Sequence, residues 1–488
     1  MKQIIKKGSF LTLMFMLLGC LSLYAADNDL ITKQITITLE KAGTLPDSIG
    51  SSKKYKITNL KIIGEINGTD LRMIREMAGS SYYNDGKLSV LDMSEAKIVE
   101  GGDCYYNDNY NNDYYTSNDV IGIYAFSYCS RLTSLTLPAG ITEIDSSAFY
   151  GCSRLTSLTL PAGITKIGSW AFCNCSGLTS LTLPAGITSI GSFAFEHCSG
   201  LTSLTLPDGI TSIGDGAFSG CSGLTNLTLP AGITEIGYSA FYGCSGLTSL
   251  TLPDGITSIG NATFKGCSGL TSLTLPDGIT WIGDAAFQGC SGLTSLTLPD
   301  GITSIGNHTF WGCSGLTSLT LPAGITKIGG GAFWGCSGLT SLTLPDGITM
   351  IGSSAFYGCS GLTSLTLPDG ITEIVSFAFY GCSGLTSIYV YAEKVPNIDS
   401  HVFEGIDAKK CTVYVPMGTY DDYRHSIFGY YFENIVEFKA TGIDKTTIST
   451  DVEEVTRYSV NGQRLSAPTK GLNVVKYSDG SVKKVAVR

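Results

Sequence analysis

The sequence predicts a β-rich solenoid in which short strands from successive coils stack along one axis. The first observation is a 23-residue period, marked by twelve evenly spaced cysteines: Cys129, Cys152, Cys175, Cys198, Cys221, Cys244, Cys267, Cys290, Cys313, Cys336, Cys359 and Cys382. The second is an L-x-x-L-x-L strand followed by P-A-G-I or P-D-G-I in each period. One such coil is too small to bury its own apolar side chains, so the coils must stack. Eleven intervals between the twelve cysteines, at the spacing of paired strands, predict an array roughly 50 Å long.

The repeat Cys221–Gly243 shows how one coil is built. Its leucines alternate with Thr225, Asn226 and Thr228, which predicts an inward apolar face and an outward polar face. Pro230 ends the strand, and a positive φ at Gly232 is expected to turn the chain. The inward positions are Leu224, Leu227, Leu229, Ile233, Ile236, Ala240 and Phe241.

The strand, the P-x-G-I turn and the closing A-F-x-G-C resemble the BspA-like leucine-rich repeats of bacterial surface proteins, over roughly Tyr55 to Glu437. The pattern departs from the commonest leucine-rich repeat because Gly232 stands where an Asn or Cys ladder usually follows the leucines. No long helix per repeat is therefore expected. The resemblance implies a non-enzymatic, adhesin-like protein that attaches to host matrix proteins or to other cells. A glycan-capturing surface lipoprotein and a structural spacer are the alternatives.

Residues 1–26 are predicted to be a signal peptide, because three lysines precede an apolar run from Phe10 to Leu23. The run is shorter than the roughly 20 residues that a membrane span needs. Two cleavage sites compete. Leu17–Cys20 resembles a lipobox, which would leave Cys20 lipid-modified, and residues 23–25 offer an ordinary small-residue site. We therefore expect an extracellular or outer-surface protein that contacts a membrane only through a lipid anchor.

The chain between the signal peptide and the tail divides into a regular array and two caps. Residues 27–120 form the N-terminal cap, with blurred repeats, a helix expected at Asp70–Met77 and an acidic, Asn- and Tyr-rich loop at Gly101–Asp119. Residues 121–384 hold the regular repeats. Residues 385–440 form the C-terminal cap, where the leucine pattern degrades and aromatic residues gather.

Residues 441–488 are predicted to form a small β-hairpin module. The Asn461-Gly462 and Asp479-Gly480 pairs are typical of tight turns between antiparallel strands. Residues 457–488 carry seven basic residues and one acidic residue, whereas residues 121–384 carry five basic and thirteen acidic. This tail resembles the C-terminal sorting domain of the type IX secretion pathway. A β-appendage that finishes the solenoid is the alternative.

Composition and motifs argue against an enzyme and against a nucleic-acid partner. The net charge is −10, and no repeat supplies the basic stripe that phosphate binding needs. The four histidines form no catalytic motif, and His197 and His308 occupy variable positions that are typical of a solvated surface. The acidic loop is the one place where an enzymatic pocket or a calcium ion is considered. No catalytic residue, cofactor or metal site is predicted.

The periodic cysteines are predicted to be buried free thiols. They share one inward position in every coil, where a small apolar side chain fits. A line of thiols does not offer the four convergent ligands of structural zinc, and an even stack gives no reason for disulfide pairing. Cys104 and Cys173 fall outside this register and are the candidates for exposure.

Binding is predicted at positions that vary on the constant frame. The leading candidate is a row of aromatic residues, one per coil: Trp311, Trp334, Tyr357 and Tyr380. Exposed, such a row would bind a protein or the face of a sugar. The family resemblance implies that the partner is a host matrix protein, a cell-surface protein or a glycan. The alternative is a partly buried edge over the Gly-Cys turn. The exposed Thr ladder from Thr136 to Thr366 is interpreted as strand surface, and a monomer is expected.

Overall fold

The computed structural model describes residues 30–80, 85–108 and 110–439, and four backbone strands of the tail. The predicted signal peptide, including Cys20, lies outside the described residues. The chain divides into two compact units, and the boundary falls between Phe438 and Lys439. The first unit is the repeat array with its caps. The second contains Glu454–Ser459, Arg464–Leu465, Gly471–Tyr477 and Val482–Val487, which form one antiparallel sheet.

The N-terminal cap begins the parallel stack. Strands β1 (Ile35–Leu39), β2 (Asn59–Ile66) and β3 (Val90–Ile98) pair in order, and β3 continues onto Ser134–Thr136 of the array. Between β1 and β2 lies the short helix α1 (Leu45–Ile49).

Helix α2 (Gly68–Met77) confirms the helix expected at Asp70–Met77. It starts with a capping box, in which Asn67 accepts a bond from the Thr69 N–H at 3.1 Å. The buried Asp70 carboxylate accepts three backbone N–H groups, including Gly43 at 2.6 Å and Leu45 at 2.9 Å. These bonds compensate for the burial of a charge and fix α1 against α2.

The segment Gly101–Asp119 is not the irregular loop that its composition predicted. Strands β4 (Gly101–Asn107) and β5 (Asp113–Thr116) pair as an antiparallel hairpin. The Asp108 carboxylate closes the turn by accepting bonds from the backbone N–H groups of Tyr110 and Asn112, at 2.8 and 2.9 Å. Asn and Asp therefore mark only the tip of an ordered element.

The regular coils contain two short strands each, except that residues 341–343 contribute only isolated bridges. Where strands of successive coils pair, they do so in register with the equivalent residues 23 positions away, as Ser180–Thr182 does with Ser203–Thr205. The first strand column comprises Ser134–Thr136, Ser157–Thr159, Ser180–Thr182, Ser203–Thr205, Asn226–Leu227, Ser249–Thr251, Ser272–Thr274, Ser295–Thr297, Ser318–Thr320, Ser364–Leu367 and Ser387–Val390. The second comprises Val120–Ile121, Glu143–Ile144, Lys166–Ile167, Ser189–Ile190, Ser212–Ile213, Glu235–Ile236, Ser258–Ile259, Trp281–Ile282, Ser304–Ile305, Lys327–Ile328, Met350–Ile351, Glu373–Ile374 and Asn397–Ile398.

The turn after the first strand differs from the prediction. The Ile233 N–H donates to the Pro230 carbonyl at 3.2 Å, and Gly232 is absent from the glycines with positive φ. The left-handed residues instead flank the buried Phe241, at Ser239 (φ 55°) and Gly243 (φ 69°). The sharp bend that needs glycine therefore lies at the phenylalanine corner and not after proline.

Backbone hydrogen bonds between coils run in two directions. At the corner the earlier coil donates: the Phe149 N–H bonds the Ala171 carbonyl at 2.8 Å. Beside the strands the later coil donates: the Thr165 N–H bonds the Thr142 carbonyl at 2.9 Å. Backbone N–H groups at the corner therefore donate toward the following coil, and those beside the strands donate toward the preceding coil, so both sets of backbone groups are hydrogen-bonded.

The core consists of stacked identical side chains. Ladder phenylalanines from Phe126 to Phe403 stack with ring centroids 5.1 to 6.1 Å apart and planes within 13° of parallel. Leucine, isoleucine and cysteine columns are buried beside them. Each coil therefore completes the core of its neighbour.

The C-terminal cap replaces the repeat with strands and short helices. Thr412–Pro416 and Asn434–Phe438 extend the first strand column, and α3 (Tyr420–Arg424) and α4 (Ile427–Tyr431) lie between them. The buried Tyr423 hydroxyl donates to the Ala392 carbonyl at 2.7 Å.

Candidate functional site

The surface of interest lies at the phenylalanine corner of each coil. Two positions flank every ladder phenylalanine here, one two residues before it and one directly after it. We call these positions together the corner surface. The preceding position has positive φ in successive coils, for example at His308 (55°), Gly331 (59°) and Phe377 (61°). Because the backbone is constant there, only the side chains change from coil to coil.

The four predicted aromatic residues lie together on the corner surface and form one continuous stack, the aromatic row. Ring centroids are 4.7 Å apart between Trp311 and Trp334, and 4.3 Å apart between Trp334 and Tyr357. Tyr357 and Tyr380 follow at 4.7 Å. All four side chains are half-buried. The rings cover one another's faces, so solvent reaches mainly their edges.

Three further rings extend the row and were missed from the sequence. His308 lies 4.8 Å from Trp311, Phe377 lies 5.9 Å from Tyr380, and His401 stacks on Phe377 at 5.0 Å. His308 is therefore half-buried against an indole and is not a solvated surface residue. The sequence contained a signal for these rings, because all three residues lie two positions before a ladder phenylalanine. These bulky residues hold a left-handed position that is glycine in other coils, which costs roughly 1–2 kcal/mol per residue.

The corner positions that carry the aromatic row are uncharged, and the first carboxylate beyond them is that of Glu404 in the next coil, whose Oε1 lies 3.7 Å from His401 Nε2. From His308 to Tyr380 the corner positions hold no carboxylate and no ammonium group, in a chain whose net charge is −10. Within the part of the chain that the structure describes, the indole N–H and phenol groups of the aromatic row form no hydrogen bond. The site therefore offers an apolar strip with a line of free donors.

At its N-terminal end the corner surface is covered by the hairpin of β4 and β5. Tyr106 and Tyr114 approach Tyr124 with ring centroids 5.0 and 5.3 Å away, and the Tyr114 ring meets Tyr124 edge to face at 84°. The Arg75 guanidinium lies 4.7 Å from the Tyr106 ring. Tyr124 occupies the position two residues before a ladder phenylalanine, as His308 and Phe377 do.

Other aromatic residues of the corner surface are isolated or paired. Trp170 stacks on Phe193 at 5.3 Å, and Tyr150 lies 5.2 Å from Tyr128, which is outside the two corner positions. Tyr242 is 42% exposed and stands between coils that carry Ser219 and Lys265 at the same position. Only the stretch from His308 to His401 forms an extended strip.

The predicted Thr ladder lies on the outward face of the first strand column. Its members pair in register, as in Thr182 with Thr205, and are exposed except for the half-buried Thr366. A second set of threonines bridges the coils: the Thr202 hydroxyl donates to the Thr179 carbonyl at 3.1 Å. These contacts stabilise the stack.

All fifteen cysteines that the structure describes are free thiols. The ladder cysteines are buried as predicted, and eleven of them also donate to a main-chain carbonyl, as Cys221 does to Phe195 at 3.0 Å. Burial raises the pKa of the Cys221 thiol to about 12. Cys104 is half-buried.

The expectation that Cys173 is exposed is wrong. Only 1% of this residue is accessible, because its thiol donates to Glu196 at 3.5 Å and accepts from the Asn174 amide at 3.3 Å. Burial, with the nearby Glu196 carboxylate, raises its pKa to about 12. This thiol is therefore not an activated nucleophile.

The acidic side chains of the hairpin serve the fold of the hairpin itself. Hydrogen bonds from Asn112 hold the pKa of Asp108 below its usual range, and this carboxylate is engaged in closing the turn. In the described ranges no three His, Cys, Asp or Glu side chains converge on a metal position. An open groove of about 400 Å³ between Leu158 and Pro184 is lined by Leu, Thr, Ser, Ala and Pro side chains, which supply no acid or base.

The fold and the site define a class: a stacked leucine-rich repeat scaffold that presents variable side chains on a constant frame. A family model for the BspA type leucine-rich repeat region, in six copies, matches residues 101–222, 188–317, 303–423 and 332–466. Together these matches span most of the chain. The chain therefore belongs to the BspA-type leucine-rich repeat family, whose members are generally non-enzymatic repeat proteins.

Several solved structures are similar to this chain. A leucine-rich repeat protein from Bacteroides ovatus is 30% identical, with 67% of this chain and 89% of that chain covered and a TM-score of 0.54. A leucine-rich cell surface protein from Faecalibacterium prausnitzii is 27% identical, covers 57% and 84%, and has a TM-score of 0.34. The pneumococcal vaccine antigen PcpA is 22% identical, covers 71% and 87%, and has a TM-score of 0.44. The first of these supports the fold.

Comparison with curated proteins finds no match. Among the residues that the structure describes, no helix has the length and apolarity to cross a membrane.

Proposed function

We propose that this protein is displayed outside the cell as an adhesin-like binding protein for host matrix proteins or for other cells. The observation that carries the proposal is the aromatic row: four stacked rings on an uncharged strip of an acidic scaffold. Exposed aromatic edges on a rigid frame are typical of protein-binding surfaces, because they bury apolar area with little loss of entropy. Membership of the BspA-type family supports a binding role.

The test is binding of the purified full chain to a panel of matrix proteins, whole cells and glycans at physiological salt. We expect saturable binding to one protein or cell type, weakened at least tenfold by Trp311→Ala with Trp334→Ala. The matched control is Trp170→Ala with Phe193→Ala, which removes another stacked pair from the same corner surface. Binding that survives loss of the two row tryptophans would contradict the site, and sugar binding that depends on them would favour glycan capture.

The route to the surface is part of the proposal. A basic and then apolar segment ahead of the cap supports export, and Cys20 in its lipobox-like context supports a lipid anchor. The basic tail, with its antiparallel sheet, supports a sorting role. We expect Cys20→Ser to abolish labelling by a fatty-acid probe, and deletion of residues 441–488 to retain the protein inside the outer membrane. Unchanged labelling and surface exposure in these variants would contradict the route.

A further inference from the structure

We propose that the corner surface between His308 and His401 binds a tyrosine-bearing strand of a protein ligand. The rings of the strand would meet the edges of the aromatic row. This inference rests on the proposed binding function and specifies its ligand class. The proposed ligand would contact the edges of the rings, whereas a captured sugar would stack on their faces.

The first argument is an example within the molecule. The β4–β5 hairpin docks two tyrosines on the corner surface of the first coil, where Tyr106 and Tyr114 contact Tyr124 at 5.0 and 5.3 Å. The contact to Tyr114 is edge to face, the geometry that the quadrupoles of aromatic rings favour. The same position in later coils carries His308, Phe377 and His401. A tyrosine-bearing strand is therefore a ligand that this surface already accepts in cis.

The second argument concerns which ring surface is available. Ring planes in the aromatic row lie within 24° of parallel, with centroids 4.3 to 4.7 Å apart. Trp334 and Tyr357 each have a ring neighbour on both faces. A sugar that stacks on a ring face finds these faces occupied, whereas the electropositive edges remain free for an incoming ring.

The third argument is polar complementarity. The indole N–H groups of Trp311 and Trp334 and the hydroxyls of Tyr357 and Tyr380 form no hydrogen bond within the described chain. An extended peptide supplies a carbonyl at every residue, and these carbonyls can accept from such donors. The three intervals of the row span roughly 14 Å, which matches four or five residues of an extended strand at about 3.3 Å each.

The acidic scaffold around the strip disfavours anionic ligands. The corner positions from His308 to Tyr380 are uncharged, while residues 121–384 carry thirteen acidic and five basic residues. A tyrosine-rich segment buries its rings here without placing a carboxylate against the row. Polyanionic ligands would be repelled by the surrounding field.

The test uses the full chain and two synthetic peptides as probes. The first has the sequence of Gly101–Thr116 with Ser in place of Cys104 and Asn in place of Asp103, Asp108 and Asp113, so that it carries no carboxylate side chain, and the second also has every tyrosine replaced by serine. By titration calorimetry we expect the tyrosine peptide to bind saturably and the serine peptide at least tenfold more weakly. Trp334→Ala with Tyr357→Ala should reduce binding of the tyrosine peptide at least tenfold, with the circular dichroism spectrum unchanged.

Tyr242→Ala is the matched control, because it removes an exposed corner tyrosine outside the strip; unchanged binding is expected. Equal binding of both peptides, or binding that ignores Trp334 and Tyr357, overturns the inference. If matrix or cell binding requires Trp311 and Trp334 but the tyrosine peptide does not bind, the proposed function stands and its ligand class is wrong. If the full chain self-associates through Tyr110, the occupant is a second copy and the partner assignment is wrong.

Discussion

At the residue scale, the ladder cysteines combine two roles in one small side chain. Each fills an inward position beside the phenylalanine column, and eleven of the twelve thiols donate to the phenylalanine carbonyl 26 residues earlier, as Cys244 does to Phe218 at 3.1 Å. That carbonyl lies at the corner, where the backbone turns too sharply for strand pairing. Alanine would lack the donor, and a longer polar residue would not fit the core.

Replacing Cys244 with alanine should lower the free energy of unfolding by about 1–3 kcal/mol, because the Phe218 carbonyl loses one of its two donors, keeping only the Cys221 N–H at 3.1 Å, and a small cavity opens. Chemical denaturation of the reduced protein measures the change. Ser245→Ala is the control: the residue follows Cys244 but is exposed, so it should change stability little. Equal effects of the two substitutions would show that the thiol bond contributes nothing measurable.

The buried thiols should also make stability depend on alkaline pH. Burial raises the pKa of Cys221, Cys290 and Cys359 to about 12, from an ordinary value of 9.0. Below pH 9 the thiols are protonated in both states. Above it they ionise in the unfolded chain but not in the folded one, so the free energy of unfolding falls between pH 9 and 12.

The measurement is the melting temperature at pH 7, 8 and 10 under reducing conditions. A variant with alanine at Cys221, Cys290 and Cys359 should show a shallower fall between pH 8 and 10 than the parent, whatever its stability at pH 7. Parallel pH profiles for the two proteins would contradict the assignment of alkaline sensitivity to the ladder.

At the element scale, the N-terminal cap supplies hydrogen-bond donors to the corner carbonyls of the first coil. Corner carbonyls in the array accept from the preceding coil, but the first coil has no such neighbour. The buried Arg75 of α2 replaces it, since its guanidinium donates to the carbonyls of Tyr124 and Ala125. A cation suits this end because several carbonyl oxygens converge there.

Arg75→Met should destabilise the cap and first coils by about 2–4 kcal/mol, because a buried set of carbonyls loses charged donors. Hydrogen exchange should rise from β3 to Thr159 and stay unchanged beyond Cys267, since coils contact only their neighbours. Arg72→Met on the same helix is the control: its side chain is 40% exposed, and it should have a smaller effect. Uniformly faster exchange along the chain would contradict local capping.

The period, the two strand columns and the buried cysteines were predictable because identical side chains must stack on one another. The Gly101–Thr116 hairpin was not, since its Asn and Asp residues indicate only a turn, whereas its order depends on Tyr106 and Tyr114 packing against Tyr124. The exposure predicted for Cys173 was wrong because the burial of this residue depends on Asn174 and on Glu196 of the next coil.

The candidate site was predictable in position but not in geometry. The repeat register places Trp311, Trp334, Tyr357 and Tyr380 in one line. It does not determine whether the rings present faces or edges, because that depends on side-chain rotamers and on the neighbouring coil. The contribution of His308 and His401 to the row was not predictable either, because it depends on the left-handed backbone at these two residues.

At the scale of the whole molecule, the stability of the array is expected to be a sum of contributions from its coils. The regular coils repeat one pattern of strand, turn and corner, and their strands pair in register where they are hydrogen-bonded, as Ser249–Thr251 is to Ser272–Thr274. Stability should therefore follow the number of coils and their interfaces, and not a single central core.

Deleting one exact period, residues 244–266, joins Gly243 to Cys267 and restores every register. We expect a folded monomer with a modestly lower melting temperature. Deleting residues 244–254 alone should abolish cooperative folding, because a half-period shift puts polar residues into the core columns. Thermal melts and size-exclusion chromatography distinguish the two deletions, and equal behaviour would refute the additive description.

The opposed hydrogen bonds of the corner and the strand flanks bear on how long such a scaffold can grow. In an α-helix all peptide dipoles align, and charge accumulates at the two ends. Here the Phe149 N–H donates toward the following coil and the Thr165 N–H toward the preceding one, so the two columns of dipoles largely cancel. Coils can therefore be gained or lost in evolution without an electrostatic penalty at the ends, and the reach of the molecule can vary while its corner chemistry is retained.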